Sequence, residues 1–134
     1  MKYRFIEHTG DIKFQVGGNT LTKIFENSAL AVSHYISRGK KIKSKKGKII
    51  EVSGTDLESL FYNFLDELIY FLDAECFVVA KAKITMRGYN LQAELYGDDT
   101  KNYSDLDHIK AATYAEMYIK KTSKGWKAQA VLDV

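Results

Sequence analysis

Apolar residues at Ile12, Phe14 and Val16 recur every second position, whereas Leu21, Ile24, Phe25, Ala29, Val32 and Ile36 recur at the three-to-four spacing of a helix. The chain is therefore expected to open with a strand and an amphipathic helix. Tyr3–Ile6 alternates less regularly and predicts a first strand, separated from the second by the polar piece His8-Thr9-Gly10-Asp11. Gly17-Gly18-Asn19 breaks the alternation, and Thr20 is placed to cap the helix. Beyond a basic stretch, Ile49–Val52 predicts a short strand ended by Ser53-Gly54, and Thr55 or Asp56 can start the longest helix. Leu57, Leu60, Phe61, Phe64, Leu65 and Leu68 open its broad apolar face, which continues to Leu72 and should pack centrally against a sheet.

The second half reads as strands. Phe77–Ile84 and the alternating Leu91, Ala93 and Leu95 flank a hairpin connection at Arg87-Gly88-Tyr89-Asn90. Residues 97–107 form a long polar loop whose aspartates lack the spacing of a calcium-binding helix-loop-helix. Ile109, Ala111, Thr113, Ala115, Met117 and Ile119 share one parity, predicting one extended segment with Lys110, Tyr114 and Tyr118 on its other side. Lys121–Gly125 is a turn, and Trp126–Leu132 returns as the last strand, with Trp126 and Met117 as packing residues. The expected fold is α+β, a two-layer sandwich in which at least two helices cover a mostly antiparallel or mixed sheet with paired N- and C-terminal strands.

A length of 134 residues suits one domain spanning 1–134. Neither the start nor any later run has the apolar length of a signal peptide or a membrane span, so a cytoplasmic location is expected. One cysteine, Cys76, excludes an internal disulfide framework and reads as a small buried residue. The excess of 20 basic over 17 acidic residues is too slight to imply nucleic-acid binding by itself. Its distribution is uneven, because Arg38, Lys40, Lys41, Lys43, Lys45, Lys46 and Lys48 crowd one stretch. That stretch could attract phosphate or be a solvated loop, and it lacks interleaved aromatics for base stacking.

Asp133 is penultimate, so its side chain and the α-carboxylate of Val134 lie in one short segment. Folded beside Asp11, they would make an oxygen-rich corner suited to a hard divalent cation, against the plainer reading of strand-end aspartates facing water. His8 could move a proton near Asp11 or simply fix the turn, and Lys110 could neutralise phosphate or be an exposed sheet lysine. The paired acids Asp66 and Glu67 read as a solvated helix edge, and His34 as an ordinary surface or half-buried histidine. A phosphate-binding glycine loop, a cysteine-rich zinc motif, a histidine pair at helical spacing and a serine elbow are all missing.

His8-Thr9-Gly10-Asp11-Ile12, Ile109-Lys110-Ala111-Ala112-Thr113-Tyr114 and Val131-Leu132-Asp133-Val134, in this order, resemble the archease family over nearly the full chain. The helix from Asp56 to Ile69 and the pair Gly97-Asp98 add to the resemblance. Three features depart from the family pattern. Ala115 stands where the family often has histidine, His108 is a displaced counterpart of a loop histidine, and Gly10 replaces a usual alanine.

The resemblance implies a non-enzymatic accessory activator of the GTP-dependent RNA ligase of tRNA splicing, which joins 3′-phosphate or 2′,3′-cyclic phosphate ends to 5′-hydroxyl ends. In that role it would promote guanylylation of the ligase and its multiple turnover. By matching, it assigns Asp11, Asp133 and the Val134 carboxylate to a metal site, with His8 nearby, and Lys110, Asp11 and Asp133 to activation. Calcium would be the occupant in a crystal, magnesium or manganese the functional ion, and guanine nucleotide a transient contact. The expected partner is the ligase, with tRNA associated indirectly and neither membrane nor DNA involved. A metal-responsive binding module of an RNA-processing complex is the alternative, and an autonomous phosphate-processing enzyme a third class.

Overall fold

In the computed structural model, which describes residues 2–134, the two opening alternations become β1 (Tyr3–Ile6) and β2 (Asp11–Gly18), followed by α1 (Leu21–Ser37). Then come β3 (Lys46–Ser53), α2 (Leu57–Ala74), β4 (Phe77–Arg87) and β5 (Asn90–Asp99). A single 3₁₀ turn at Thr100–Asn102 precedes β6 (Ala111–Ala112), β7 (Tyr118–Thr122) and β8 (Gly125–Asp133). Both helices start at the expected caps. The Thr20 hydroxyl accepts from the Lys23 N–H, and Asp56 and Ser59 form a reciprocal capping box at α2. Arg38, in the left-handed region at φ 55°, closes α1 as the Gly39 N–H donates to the His34 carbonyl.

The strands form two sheets rather than one. Five strands run β1-β2-β8, with β6 and β7 both pairing along β8, and three run β3-β5-β4. Every ladder is antiparallel. N- and C-terminal strands pair as expected, through eight residue pairs from Asp11↔Asp133 to Gly18↔Trp126. The helices join the sheets: α1 packs on β2 and β4, and α2 on β4, β3 and β6. Between them Phe25 meets Phe61 and Phe64 edge to face, all three fully buried in one core with residues of both sheets. Among the described residues, no helix is long and apolar enough to cross a membrane.

Four expectations change. The segment 109–119 is not one strand, because between Ala112↔Leu132 and Tyr118↔Gln129 the five residues 113–117 face only Ala130 and Val131. They loop out through a turn in which Glu116 takes φ 53°, so the buried parity switches from Ala112 to Ile119. Residues 97–99 belong to β5, where Gly97 and Asp98 are buried, so the polar loop starts later. Two acids of residues 97–107 pair with the basic stretch: Asp107 with Arg38 at 2.8 Å and Asp99 with Lys46 at 2.9 Å. Arg38 and Lys46 are thereby paired with acids, and β3 begins inside the stretch at Lys46. Cys76 is exposed, since it sits at the α2–β4 turn with φ 50°.

Candidate functional site

Along β2, Ile12, Phe14 and Val16 face the helices, which sends Asp11, Lys13 and Gln15 to the outer face. The antiparallel register places Asp133 opposite Asp11, Val131 opposite Lys13 and Gln129 opposite Gln15. Direct cross-strand partners have Cβ atoms about 5 Å apart, a spacing at which two carboxylates repel each other. No ion pair among the described residues involves either Asp11 or Asp133. β6 joins on the far side of β8: Ala111 is opposite Asp133, and the Lys110 N–H donates to the Asp133 carbonyl at 2.7 Å. Asp11, Asp133 and Lys110 thus meet at one end of three adjacent strands, with the Lys110 side chain exposed. Val134 follows directly, half-buried against the core.

The preceding turn is built for its sharp path. Gly10 takes φ 78°, in the left-handed region that glycine enters without strain. His8 does not reach toward Asp11. Its Nε2–H donates to Glu116 Oε2 at 3.1 Å, and its Nδ1 is buried with no partner among the described residues. Lys13 Nζ donates to the other Glu116 oxygen at 2.8 Å. The Lys13 hydrogen bond, then that from His8 and the Lys13 charge, hold the Glu116 carboxyl below its ordinary value.

From there a chain of amides crosses the outer face. The Gln129 side-chain amide donates to the Glu116 carbonyl at 2.8 Å, that of Gln15 donates to Gln129 Oε1, and Arg4 donates to Gln15 Oε1 through Nε and Nη2. These bonds tie the 113–117 loop to β1, β2 and β8, and so fix the ground beside the Asp11–Asp133 pair. Glu116, Lys13 and Gln129 were missed from the sequence. Alternation from Asp11 does put Lys13 on the same face, but Glu116 reaches it only through the turn that the uniform parity concealed.

On the opposite side of the β6–β7 loop, the exposed Tyr114 ring stacks on Tyr62 of α2, with centroids 4.3 Å apart. Deeper in the loop region the buried Asp98 accepts from the Tyr103 hydroxyl at 2.8 Å, the Asp99 N–H and Asn102. Burial works to raise its carboxyl, but these hydrogen bonds and nearby Lys45 outweigh burial and hold it low. The expected site residues therefore separate into two sets: Asp11, Asp133 and Lys110 with Val134, and His8 with Glu116 and Lys13.

The corner offers two side-chain carboxylates, with the Val134 α-carboxylate as the expected third donor, all hard oxygens of the kind magnesium, calcium and manganese prefer. Among the described residues no group of three or more His, Cys, Asp or Glu side chains is arranged to hold a metal.

The archease protein family (MTH1598/TM1083) matches residues 3–134 of the chain. Protein archease of Pyrococcus furiosus is 39% identical over 140 residues, an alignment covering 99% of each protein. That of Methanosarcina barkeri is 37% identical over 140 residues, covering 99% of this chain and 96% of the other. The solution structure of protein 1598 of Methanobacterium thermoautotrophicum matches with a TM-score of 0.79 at 27% identity, covering 98% of both chains. A crystal structure of an archease, called a possible chaperone, from Thermotoga maritima shares the fold, with a TM-score of 0.61 at 19% identity over 96% of this chain and 94% of that one.

Proposed function

The chain belongs to the archease family, and from that premise we propose that it is a cytoplasmic accessory protein that activates a GTP-dependent RNA ligase of tRNA splicing. It works on the ligase rather than on RNA ends by itself, promoting guanylylation of the ligase and its repeated turnover. The observation that carries the reading is the register that sets Asp11 directly across from Asp133 while Lys110 is hydrogen-bonded to the Asp133 backbone. The residues that the family resemblance singles out, far apart in sequence, thereby form one corner in which Asp11 and Asp133 are half-buried and Lys110 exposed.

In this proposal Asp11, Asp133 and the Val134 carboxylate hold a divalent cation, which when bound would offer phosphate oxygens a Lewis-acidic centre. The two carboxylates supply the charge that such an ion compensates. Lys110, tethered by its backbone and free at its ammonium end, contacts phosphate of the partner's nucleotide. Glu116, held by Lys13 and His8, keeps the neighbouring loop in place. His8 acts here as a positioning residue, consistent with its bond to Glu116 rather than to Asp11.

A ligation time course with the matching ligase alone, this protein alone and both together tests the proposal, at several ratios of RNA to ligase with GTP and magnesium, manganese or calcium. Faster guanylylation and more than one product per ligase only in the combined reaction are expected. Product from the isolated protein, or no stimulation with any of the three ions, would contradict it. Capture of the ligase without stimulation would favour a binding module.

A further inference from the structure

At the end of β2 away from Asp11, two hollows of about 440 and 490 Å³ lie over the outer side of α1, and a third of about 480 Å³ continues from them over β4 to Tyr96 of β5. They share lining residues, and Lys81 lines all three. One wall is the edge of β4 at Lys81 and Ala82, the other the start of β1 at Lys2 and Tyr3, and Leu30 of α1 lies between them. Lysines dominate the rim. Lys2, Lys23, Lys40, Lys41, Lys81 and Lys83 line the hollows, against a single carboxylate, Glu26. Glu26 is already engaged twice, by Lys23 at 3.0 Å and by the Ile84 N–H at 3.0 Å. Among the described residues, Lys2, Lys41, Lys81 and Lys83 take part in no ion pair.

The fold also supplies the aromatic rings that the basic stretch lacks in sequence. Tyr3, Phe5 and His34 form a cluster of edge-to-face rings, in which Tyr3 and His34 line one hollow and Phe5 is 38% exposed. At the other end of the groove the Lys81 ammonium lies 5.7 Å from the Tyr96 ring centroid. A basic track with rings along it is the arrangement by which proteins hold single-stranded nucleic acid, phosphates on the cations and bases on the rings. We infer that this groove binds single-stranded RNA along its phosphate backbone. An acidic peptide added as a strand on β4 fits less well, because the Ile84 N–H that would pair with it is already held by Glu26 and α1 packs along that strand. The groove lies about 23 Å along β2 from the acidic corner, so its binding does not draw on that site.

Lysines on an edge strand also deter unwanted sheet pairing, and charge reversal separates the two roles, since a glutamate guards an edge as a lysine does. The test is fluorescence anisotropy with a labelled oligouridylate of roughly 12 nucleotides over a salt series. The full chain should bind with a slope of log K against log salt near −2, as expected for about three phosphate contacts. Lys41→Glu with Lys81→Glu should weaken binding at least about tenfold and flatten the slope while the protein stays folded and monomeric. Arg87→Glu at the β4–β5 hairpin, about 20 Å along β4 from Lys81 and lining none of the three hollows, should leave both unchanged. The inference is overturned if the distant variant loses as much as the groove variant, if polyglutamate of equal charge displaces the RNA equally well, or if no binding occurs at low salt.

Discussion

Asp11 and Asp133 are direct cross-strand partners at the end of the β2–β8 ladder, on the outer face, and among the described residues no cationic side chain pairs with either. Like charges so placed oppose the strand pairing by a few tenths to about 1 kcal/mol, and a cation reverses the sign of that contribution. Asp133→Asn is therefore expected to raise the stability slightly in chelator. In the wild type, magnesium, manganese or calcium at about 100 times its Kd should add about 2.7 kcal/mol, which the variant should lack. Thermal unfolding with and without each ion checks this, and equal ion responses in the two proteins would remove the cation from the corner.

Glu116 gives the site a pH dependence. Its carboxyl is held below the ordinary 4.5 by the hydrogen bond from Lys13 first and that from His8 second. A depressed folded-state value means that this stabilisation is fully present above the ordinary value and disappears as the pH falls through the folded one. Glu116 is half-exposed, so the effect is small and weaker in high salt. Urea unfolding between about pH 3 and 6 should show a shallower acid loss for Glu116→Gln than for the wild type. Parallel curves would mean that the Lys13–Glu116–His8 contact has no weight.

Gly97 is buried in β5 where it passes β4, and a Cβ there would meet the Val78 carbonyl oxygen at 2.0 Å. The Val78 backbone cannot step aside as a flexible side chain can. Gly97→Ala is expected to cost about 3 kcal/mol or more, at the upper end of overpacking. Equilibrium urea unfolding measures it, and a change under about 1 kcal/mol would show that the two strands can separate freely.

Asp98 joins the end of β5 to the loop leading to Lys110, through its bonds to Tyr103, Asn102 and the Asp99 N–H. Asp98→Ala leaves the Tyr103 hydroxyl without its acceptor and should loosen that loop before the core. Hydrogen exchange should then speed up across residues 99–110 while α2 keeps its protection. Uniform exchange in variant and wild type would show that the loop is held by other contacts.

The helices, the alternation in β2 and the pairing of the two terminal strands were legible because each rests on local periodicity, as in Ile12, Phe14 and Val16. The meeting of Asp11 with Asp133 followed from that pairing together with the family resemblance. What escaped was set by contacts across the chain. The turn at Thr113–Met117 is held by the Thr113 hydroxyl on the Val131 carbonyl and by the left-handed Glu116, neither of which disturbs the spacing of apolar residues. The basic residues around Arg38–Lys48 and the acids around Asp98–Asp107 read as two separate polar segments, yet they are joined at Arg38–Asp107 and Lys46–Asp99. Division into two sheets depends on where α1 and α2 insert, which no single segment encodes.

The most direct measurement is the guanylylation rate of the matching ligase with wild-type protein and with Asp133→Asn, at equal ligase capture and with both proteins shown to be folded. Loss of stimulation in the variant is the predicted result. Full stimulation by Asp133→Asn would contradict the assignment of activation to the Asp11–Asp133 corner.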